Sequence, residues 1–311
     1  MPMVQTINLT KQYGQLTALH NLNLEIEEGD CFGFIGPNGA GKTTTIKILS
    51  TLLKPTWGEA RIDGLSVGPV NARKVRSIIG YVPDYFGAYE DMVVKEYLEF
   101  FAASYGIHGE QRQQVVNDVL ELTDLGYKID ADVNGLSRGM KQRLSVARVL
   151  LHDPKVLLLD EPASGLDPRA RIEMRELLKE LHRMGKTILI SSHILLELAD
   201  LCNKVGIIEQ GELKFIGTIQ DILDQARTGV VVHVAVAERL QQAAQTIKDI
   251  PGITDIQLEN AHIRVTLDAK QNDVSQIALK LVNNGFKLTR LEEEKVNLEV
   301  AFMRLTKGLV Q

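Results

Sequence analysis

The most informative segment of the sequence is Gly36-Pro37-Asn38-Gly39-Ala40-Gly41-Lys42-Thr43. A continuous apolar run, Cys31 to Ile35, leads into it, and residues 43–53 after it have the pattern of a helix. A strand, a glycine-rich loop and a helix in this order are typical of a phosphate-binding loop, because glycine lets the backbone approach phosphate oxygens closely. Lys42 can pair with the β- and γ-phosphates, and the Thr43 hydroxyl can ligate Mg²⁺. The segment therefore predicts a site for a nucleoside triphosphate.

The second informative segment is an apolar run, residues 155–159, that is followed by Asp160 and Glu161. Its length and composition predict a buried strand ending in two adjacent carboxylates. Asp160 is placed to hold Mg²⁺ through its water shell, and Glu161 is then free to act as general base toward an attacking water. A phosphate loop alone fits a kinase, a GTPase or an ATPase, and this pair of carboxylates favours hydrolysis.

The third segment is Leu136-Ser137-Arg138-Gly139-Met140, at the start of an amphipathic helix that we predict from Met140 to Leu151. Two interpretations of Ser137 are open. Its hydroxyl can cap the helix, as serine commonly does at this position. Alternatively, the same helix start can bind a γ-phosphate.

The order of the predicted elements indicates an α/β fold. Alternating residues predict antiparallel strands at 3–9 and 22–28, and helical spacing of apolar residues dominates residues 92–151. Strands and helices then alternate, which implies a mostly parallel sheet covered on both faces. These later elements are a strand at 155–159, a helix at 168–184, a strand at 187–191 and a helix at 194–202.

The pattern changes after Gly217, and we expect a second, smaller α+β domain. A short helix and linker at 218–228 precede strands at 230–236, 253–258, 262–267 and 286–291, with helices at 237–249 and 272–284. That βαββαβ order is the ferredoxin-like arrangement. A last helix is predicted from Leu298, with Asn297 as its N-cap. The predicted domains are residues 1–225 and 226–311.

Composition narrows the possible functions. The 311 residues carry a net charge of −5, which argues against broad nucleic-acid binding. The two cysteines, Cys31 and Cys202, are far apart in sequence and predict neither a metal site nor a disulfide framework, which fits a reducing cytosol. A membrane span needs about 20 apolar residues, and no run approaches that length. If the protein works at a membrane, we expect another chain to anchor it.

Taken together, these motifs resemble the nucleotide-binding domain of ABC transporters over residues 3–225. Gly36 to Thr44 resemble its Walker A loop, including Pro37, Asn38, Ala40 and Thr44. Residues 155–161 resemble the Walker B strand with its catalytic glutamate. Residues 136–140 resemble the signature sequence, which is usually Leu-Ser-Gly-Gly-Gln.

Three further positions extend the resemblance. Ser164-Gly165-Leu166-Asp167 is similar to the D-loop, and His193 after Ser192 is similar to the switch histidine. Tyr13 occupies the place of the aromatic residue that stacks on adenine. The order and spacing of the motifs agree throughout.

The resemblance implies a P-loop fold of the ABC type, with a RecA-like mixed sheet, an antiparallel β-subdomain and an α-helical subdomain at about 92–152. It also implies a homodimer that encloses two ATP molecules with Mg²⁺. Ser137, Arg138 and Gly139 of one chain would then face the γ-phosphate held by Lys42 of the other. Glu161 would activate water, and His193 would contact the γ-phosphate.

The sequence departs from the family pattern in two places. Arg138 and Met140 replace the usual glycine and glutamine of the signature. Asp84, after Tyr81-Val82-Pro83, stands where the family has a glutamine that contacts Mg²⁺, water and the membrane subunit. Aspartate can still ligate Mg²⁺, so the implied metal ligands are Thr43, Asp160 and Asp84. We expect the coupling of ATP hydrolysis to transport to be altered in strength rather than lost.

Residues 84–92 and 297–306 resemble the ATPase subunits of bacterial type-2 ABC exporters. That branch implies integral membrane permease subunits encoded as separate chains and a cytoplasmic location at the inner face of the membrane. The aromatic pair Tyr85 and Phe86 is either ordinary core or an exposed surface that contacts the permease.

Other interpretations are weighed against the exporter. An ABC ATPase acting on ribosomes or nucleic acid is the alternative, and it usually has two ATPase domains or a long coiled coil, neither of which is found here. A small-molecule kinase or GTPase does not explain Glu161. The second domain is expected to stabilise a dimer, contact the permease or sense a ligand.

Overall fold

The structure is a computed structural model that describes residues 1–85, 87, 92–226, 230–259, 261–268, 273–294 and 298. Fourteen strands lie in these ranges: β1 Val4–Tyr13, β2 Leu16–Ile26, β3 Cys31–Ile35, β4 Trp57–Ile62, β5 Leu65–Ser66, β6 Ile79–Val82, β7 Val156–Asp160, β8 Thr187–Ser192, β9 Lys204–Glu209, β10 Glu212–Gly217, β11 Val230–Val236, β12 Ile253–Leu258, β13 Ile263–Leu267 and β14 Leu288–Glu293.

The same ranges contain ten α-helices and one turn of 3₁₀ helix, Gly126–Lys128. The α-helices are α1 Lys42–Leu49, α2 Ala72–Ile78, α3 Val94–Ser104, α4 Gly109–Leu122, α5 Arg138–Leu150, α6 Pro168–Arg183, α7 Leu195–Ala199, α8 Ile219–Ala226, α9 Leu240–Ile247 and α10 Ser275–Asn283. The chain divides into two units, one spanning Met1–Ile219 and one beginning at Gln220.

The first unit is built on a six-stranded sheet in the order β10-β9-β3-β8-β7-β6. Its strands run parallel except for β10, which is antiparallel to β9. Every residue of β3, β7 and β8 is buried, as expected for parallel strands covered on both faces. Asp160 pairs with Ser191 in this sheet, and Ile35 pairs with Ser192. The carboxyl ends of three strands therefore meet at one edge.

A second, antiparallel sheet of the first unit has the order β2-β1-β4-β5. The sequence predicts its second strand at 22–28, but β2 already begins at Leu16 and pairs with the end of β1 at Tyr13. Register shifts interrupt the β1–β2 ladder three times, and they break the alternation of apolar and polar residues. The regular pattern therefore marks only part of the strand.

Two helix boundaries of the first unit differ from the sequence prediction. Helix α1 ends at Leu49 rather than near residue 53, because Thr51 takes a left-handed φ of 63°. Helix α5 begins at Arg138 rather than Met140, because Ser137 caps it. The region predicted to be helical, 92–152, contains α3, α4 and α5, and Tyr97 is fully buried there.

The second unit contains β11-α9-β12-β13-α10-β14 in chain order, and its sheet order is β12-β13-β11-β14. All pairs are antiparallel, which is the ferredoxin-like arrangement. Its core contains Val232, Val234, Ile247, Ile263, Val265 and Ile277. The helix predicted from Leu298 lies outside the described residues except for Leu298 itself. None of the helices in the described ranges combines the length and apolarity that a bilayer crossing requires.

Candidate functional site

The loop between β3 and α1 is shaped by close backbone contacts. The Gly36 N–H donates to the Ser192 carbonyl at 3.3 Å. A Cβ at Gly36 would lie 2.3 Å from the Ile208 carbonyl oxygen, and one at Gly41 would lie 2.7 Å from that of Ala18. Gly41 also takes a φ of 110°, which favours glycine. These two glycines are therefore required by the fold itself.

Lys42 lies beneath this loop and is only 4% exposed. Its ammonium donates to the carbonyls of Gly36 at 2.6 Å and Pro37 at 3.1 Å. It also lies 3.3 Å from the Glu161 Oε1. Burial lowers the pKa of Lys42, and the negative charge of Glu161 partly opposes that shift.

Asp160 is buried at the end of β7 between two hydroxyl groups. Thr43 Oγ1 donates to its Oδ1 at 3.1 Å, and Ser191 Oγ donates to the same oxygen at 2.8 Å. The second oxygen, Oδ2, is buried and has no hydrogen-bond partner among the residues that the structure describes. Burial raises the pKa of Asp160, while the two hydroxyls oppose the shift. A buried carboxylate oxygen without a partner, beside a threonine hydroxyl, fits Mg²⁺, which prefers oxygen ligands.

Glu161 connects the loop to the neighbouring strand end. Its backbone N–H donates to Ser191 Oγ at 3.0 Å, and its φ of 46° turns the chain out of the strand. One carboxylate oxygen faces Lys42, and the other lies 2.9 Å from Nδ1 of His193. The structure thus brings together Lys42, Thr43, Asp160, Glu161 and His193, which sequence motifs up to 151 residues apart had predicted as one site.

The segment 136–140 makes its contacts outside this group of five side chains. Ser137 Oγ accepts from the Met140 N–H at 3.3 Å, so it caps α5. A Cβ at Gly139 would lie 2.7 Å from the Cβ of Ala170 in α6. Asp167 caps α6 by accepting from the Ala170 N–H at 2.9 Å. Within one chain this segment therefore packs on the start of α6.

Asp84 and Tyr13 lie at exposed positions. The charge of Asp84 contributes to the raised pKa of Asp160, so it acts on the same edge of the sheet. Burial raises the pKa of Tyr81 to about 12, and the charges of Asp160 and Asp84 add to the shift. Tyr13 is 46% exposed at the end of β1, with the Lys11 ammonium 5.1 Å from its ring centroid.

Sequence reasoning missed Ser191. Its hydroxyl contacts both the side chain of Asp160 and the backbone of Glu161, and so it holds the two carboxylates in register. A signal was present, because a hydroxyl residue inside an apolar strand needs a hydrogen-bond partner. Two neighbouring serines, Ser191 and Ser192, end β8.

A family model described as ABC transporter matches residues 19–164. The linearmycin resistance ATP-binding protein LnrL of Bacillus subtilis (strain 168) is 30% identical over 98% of both chains. The Nod factor export ATP-binding protein I of Cupriavidus metallidurans (strain CH34) is 34% identical over 98% of this chain and 97% of its own.

A solved structure of the ATP-binding cassette MJ0796, a dimer in a post-hydrolysis state bound to ADP and Pi, is also similar. It is 29% identical, has a TM-score of 0.63 and covers 70% of this chain and 98% of its own. The similarity to a nucleotide-bound cassette is consistent with the arrangement of Lys42, Asp160 and Glu161 at one end of the sheet. The chain belongs to the ABC transporter family, as an ATP-binding subunit that hydrolyses ATP.

Proposed function

We propose that this ATPase closes as a homodimer around two ATP molecules and drives export through separately encoded membrane permease subunits. The observation that carries the proposal is the joint contact of Glu161 with Lys42 and His193, at 3.3 and 2.9 Å. Relatives named for resistance and export that match over nearly their whole length support the exporter branch.

The proposed chemistry assigns one role to each group of the site. The ammonium of Lys42 and backbone N–H groups among residues 38–44 bind the triphosphate, and the exposed ring of Tyr13 stacks on the adenine. Thr43 and Asp160, with Asp84 nearby, would hold Mg²⁺, which would supply positive charge to offset the negative charge of the triphosphate. Glu161 accepts the proton of the attacking water.

His193 is proposed to orient that base. Its Nδ1 lies 2.9 Å from Glu161 Oε2, so one carboxylate oxygen is held while the other faces Lys42. An incoming triphosphate competes with Glu161 for the ammonium of Lys42. The carboxylate then becomes available to water, because its cationic partner has turned to the phosphates.

The dimer is proposed because of where the signature segment makes its contacts. Within their own chain, Ser137, Arg138 and Gly139 contact α5, α6 and the loop before α6 rather than the phosphate loop. In a head-to-tail pair, Ser137 and Gly139 would complete the site of the partner. The start of α5 would then point its N–H groups at the γ-phosphate. Each chain would supply half of each site.

The membrane partner is proposed to contact the surface around Asp84. Tyr85, beside it, is 79% exposed, whereas Phe86 lies outside the described residues. An exposed aromatic side chain beside the site could link permease movement to Asp84. The ATPase would thereby be held at the cytoplasmic face of the membrane.

The test is Glu161→Gln, which removes the base and keeps the size of the side chain. We expect hydrolysis to fall by about 10²- to 10⁴-fold. With MgATP the variant should elute as a dimer in size-exclusion chromatography with light scattering, and Lys42→Ala in the same background should abolish that dimer. Glu180→Gln, on the exposed face of α6, is the matched control.

A Glu161→Gln variant that stays monomeric with ATP would contradict the sandwich mechanism. Export is tested separately, by affinity purification of the tagged chain from solubilised membranes. A co-purifying polytopic protein supports the exporter. Recovery of ribosomal or DNA-bound partners instead would favour the alternative function.

A further inference from the structure

The residue that replaces the family's glycine in the signature makes a specific contact within its own chain. The Arg138 guanidinium lies over the backbone of Gly165, which takes a φ of 66°. A Cβ at Gly165 would be 2.5 Å from both Cζ and Nη1 of Arg138. The planar group therefore fills the space that any other residue at 165 would use for its side chain.

A second contact joins the same two segments. Gly139 packs on Ala170 of α6, one turn after Asp167 caps that helix. The start of α5 thus contacts both the loop 164–167 and the helix that follows it. Arg138 covers the loop, and Gly139 packs on the helix that follows it.

The loop is linked in turn to the catalytic base by polar contacts. The Leu166 carbonyl accepts from Arg171 Nε at 3.0 Å, and Arg171 Nη1 lies 3.6 Å from the Glu197 carboxylate. Glu197 accepts from Ser192 Oγ at 3.1 Å, and Ser192 precedes His193. These contacts form a continuous connection from Arg138 to the residue that orients Glu161.

From this arrangement, we propose that Arg138 is a positioning residue for ATP hydrolysis. It acts by stacking on Gly165, which holds the loop 164–167 and, through Arg171 and Glu197, the orientation of His193. Arginine suits this role because its guanidinium is planar, whereas lysine has a flexible point charge. The inference rests on the role of Glu161 proposed above.

The test compares Arg138→Gly, which restores the family's residue, with Arg138→Lys, which keeps the charge but not the plane. Both should lower kcat for ATP hydrolysis by roughly 3- to 30-fold, with KM for ATP changed less than about twofold. Lys141→Ala is the matched control. Its ammonium binds the Asn134 carbonyl at 2.9 Å, on the same helix turn but away from Gly165.

A double-mutant cycle identifies the partner. Gly165→Ala forces the guanidinium away and strains the loop, so it should lower kcat as well. The combination Arg138→Gly with Gly165→Ala should be no slower than the slower single variant. Fully multiplicative losses would overturn the contact as the source of the effect.

Hydrogen–deuterium exchange measures positioning without catalysis. In the nucleotide-free protein, peptides covering 162–167 and 191–197 should exchange faster in Arg138→Gly than in the wild type or Lys141→Ala. Unchanged exchange would overturn the proposal. A second result would also overturn the proposal: normal kcat in Arg138→Lys together with a raised KM in Arg138→Gly. That combination would assign the positive charge of residue 138 to nucleotide binding. Failure of Glu161 as base would appear independently, as retained hydrolysis in Glu161→Gln.

Discussion

At the scale of single residues, each of the two carboxylates of the site interacts with two other side chains. Asp160 Oδ1 accepts from both Thr43 and Ser191, while Glu161 divides its two oxygens between Lys42 and His193. Burial strengthens the interactions of Lys42 and Asp160, because an unpaired charge in a low-dielectric environment is costly. The reactive groups are thereby held in place before nucleotide binds.

A titratable residue away from this site predicts a pH dependence of stability. His152 Nε2 donates to the Ile79 carbonyl at 2.9 Å, and its ring stacks on Tyr105 with centroids 4.2 Å apart. Its buried Nδ1 has no hydrogen-bond partner within the described ranges, so a proton there would be unsatisfied. Burial accordingly lowers the pKa of His152 from its ordinary value of 6.5.

His152 is therefore protonated less in the folded protein than in the unfolded chain as pH falls through its unfolded pKa. The contribution of neutral His152 to the free energy of unfolding is fully present above its unfolded pKa of about 6.5. That contribution is lost as pH falls below this value. Urea unfolding from pH 8 to pH 5.5 should show a steeper loss of stability in the wild type than in His152→Gln. Exposed His108, changed to Gln, is the control and should follow the wild type. Parallel curves for wild type and His152→Gln would refute the assignment.

At the scale of the element, helices differ in whether a side chain caps their first backbone N–H groups. Helices α5 and α6 are capped by the side chains of Ser137 and Asp167. Helix α1 follows Gly41, which has no side chain to cap it. Its first N–H groups are therefore available to an anion, and the phosphate loop lies at that end.

The cap of α6 can be tested by stability. Asp167→Ala removes the acceptor of the Ala170 N–H and a negative charge near the helix start, so unfolding free energy should fall by about 1 kcal/mol. Asp167→Asn keeps an acceptor and should cost less. Urea denaturation of both variants gives the comparison. Equal stability of Asp167→Ala and wild type would show that the cap contributes nothing.

At the scale of the whole molecule, the described residues include two hydrophobic cores, one in each unit. The first includes Phe32, Phe34, Ile46, Leu158 and Leu189, and the second includes Val232, Val234, Ile263 and Val265. The first core draws on both sheets of the first unit, and the second core on the single sheet of the second unit. Units with separate cores are expected to unfold separately.

Calorimetry of the intact chain should accordingly show two transitions. An ATP analogue with Mg²⁺ should raise only the transition of the unit Met1–Ile219, since the nucleotide residues lie there. At 100 times the dissociation constant the stabilisation is about 2.7 kcal/mol. Lys42→Ala, which loses the phosphate-binding cation, is the control and should show a much smaller shift. One transition that moves as a whole would mean that the units unfold together.

Features that leave a local pattern in the sequence can be predicted without the structure. The phosphate loop, the strand ending in Asp160 and Glu161, and the βαββαβ order after Gly217 were all predicted from periodicity and glycine spacing. Those signals are local because glycine, a buried strand and an amphipathic helix each leave a mark within a few residues. The match to the ABC family then followed from the order of the motifs.

Contacts between segments that are distant in sequence became known from the three-dimensional structure. It placed Ser191 against Asp160, Arg138 over Gly165, and the thiols of Cys31 and Cys202 3.7 Å apart. It also began β2 at Leu16, where bulges hide the alternation. These features follow from strand register and helix packing, which bring together residues that are far apart along the chain. Register is set by the fit of whole strands and the core between them, so no local pattern contains it.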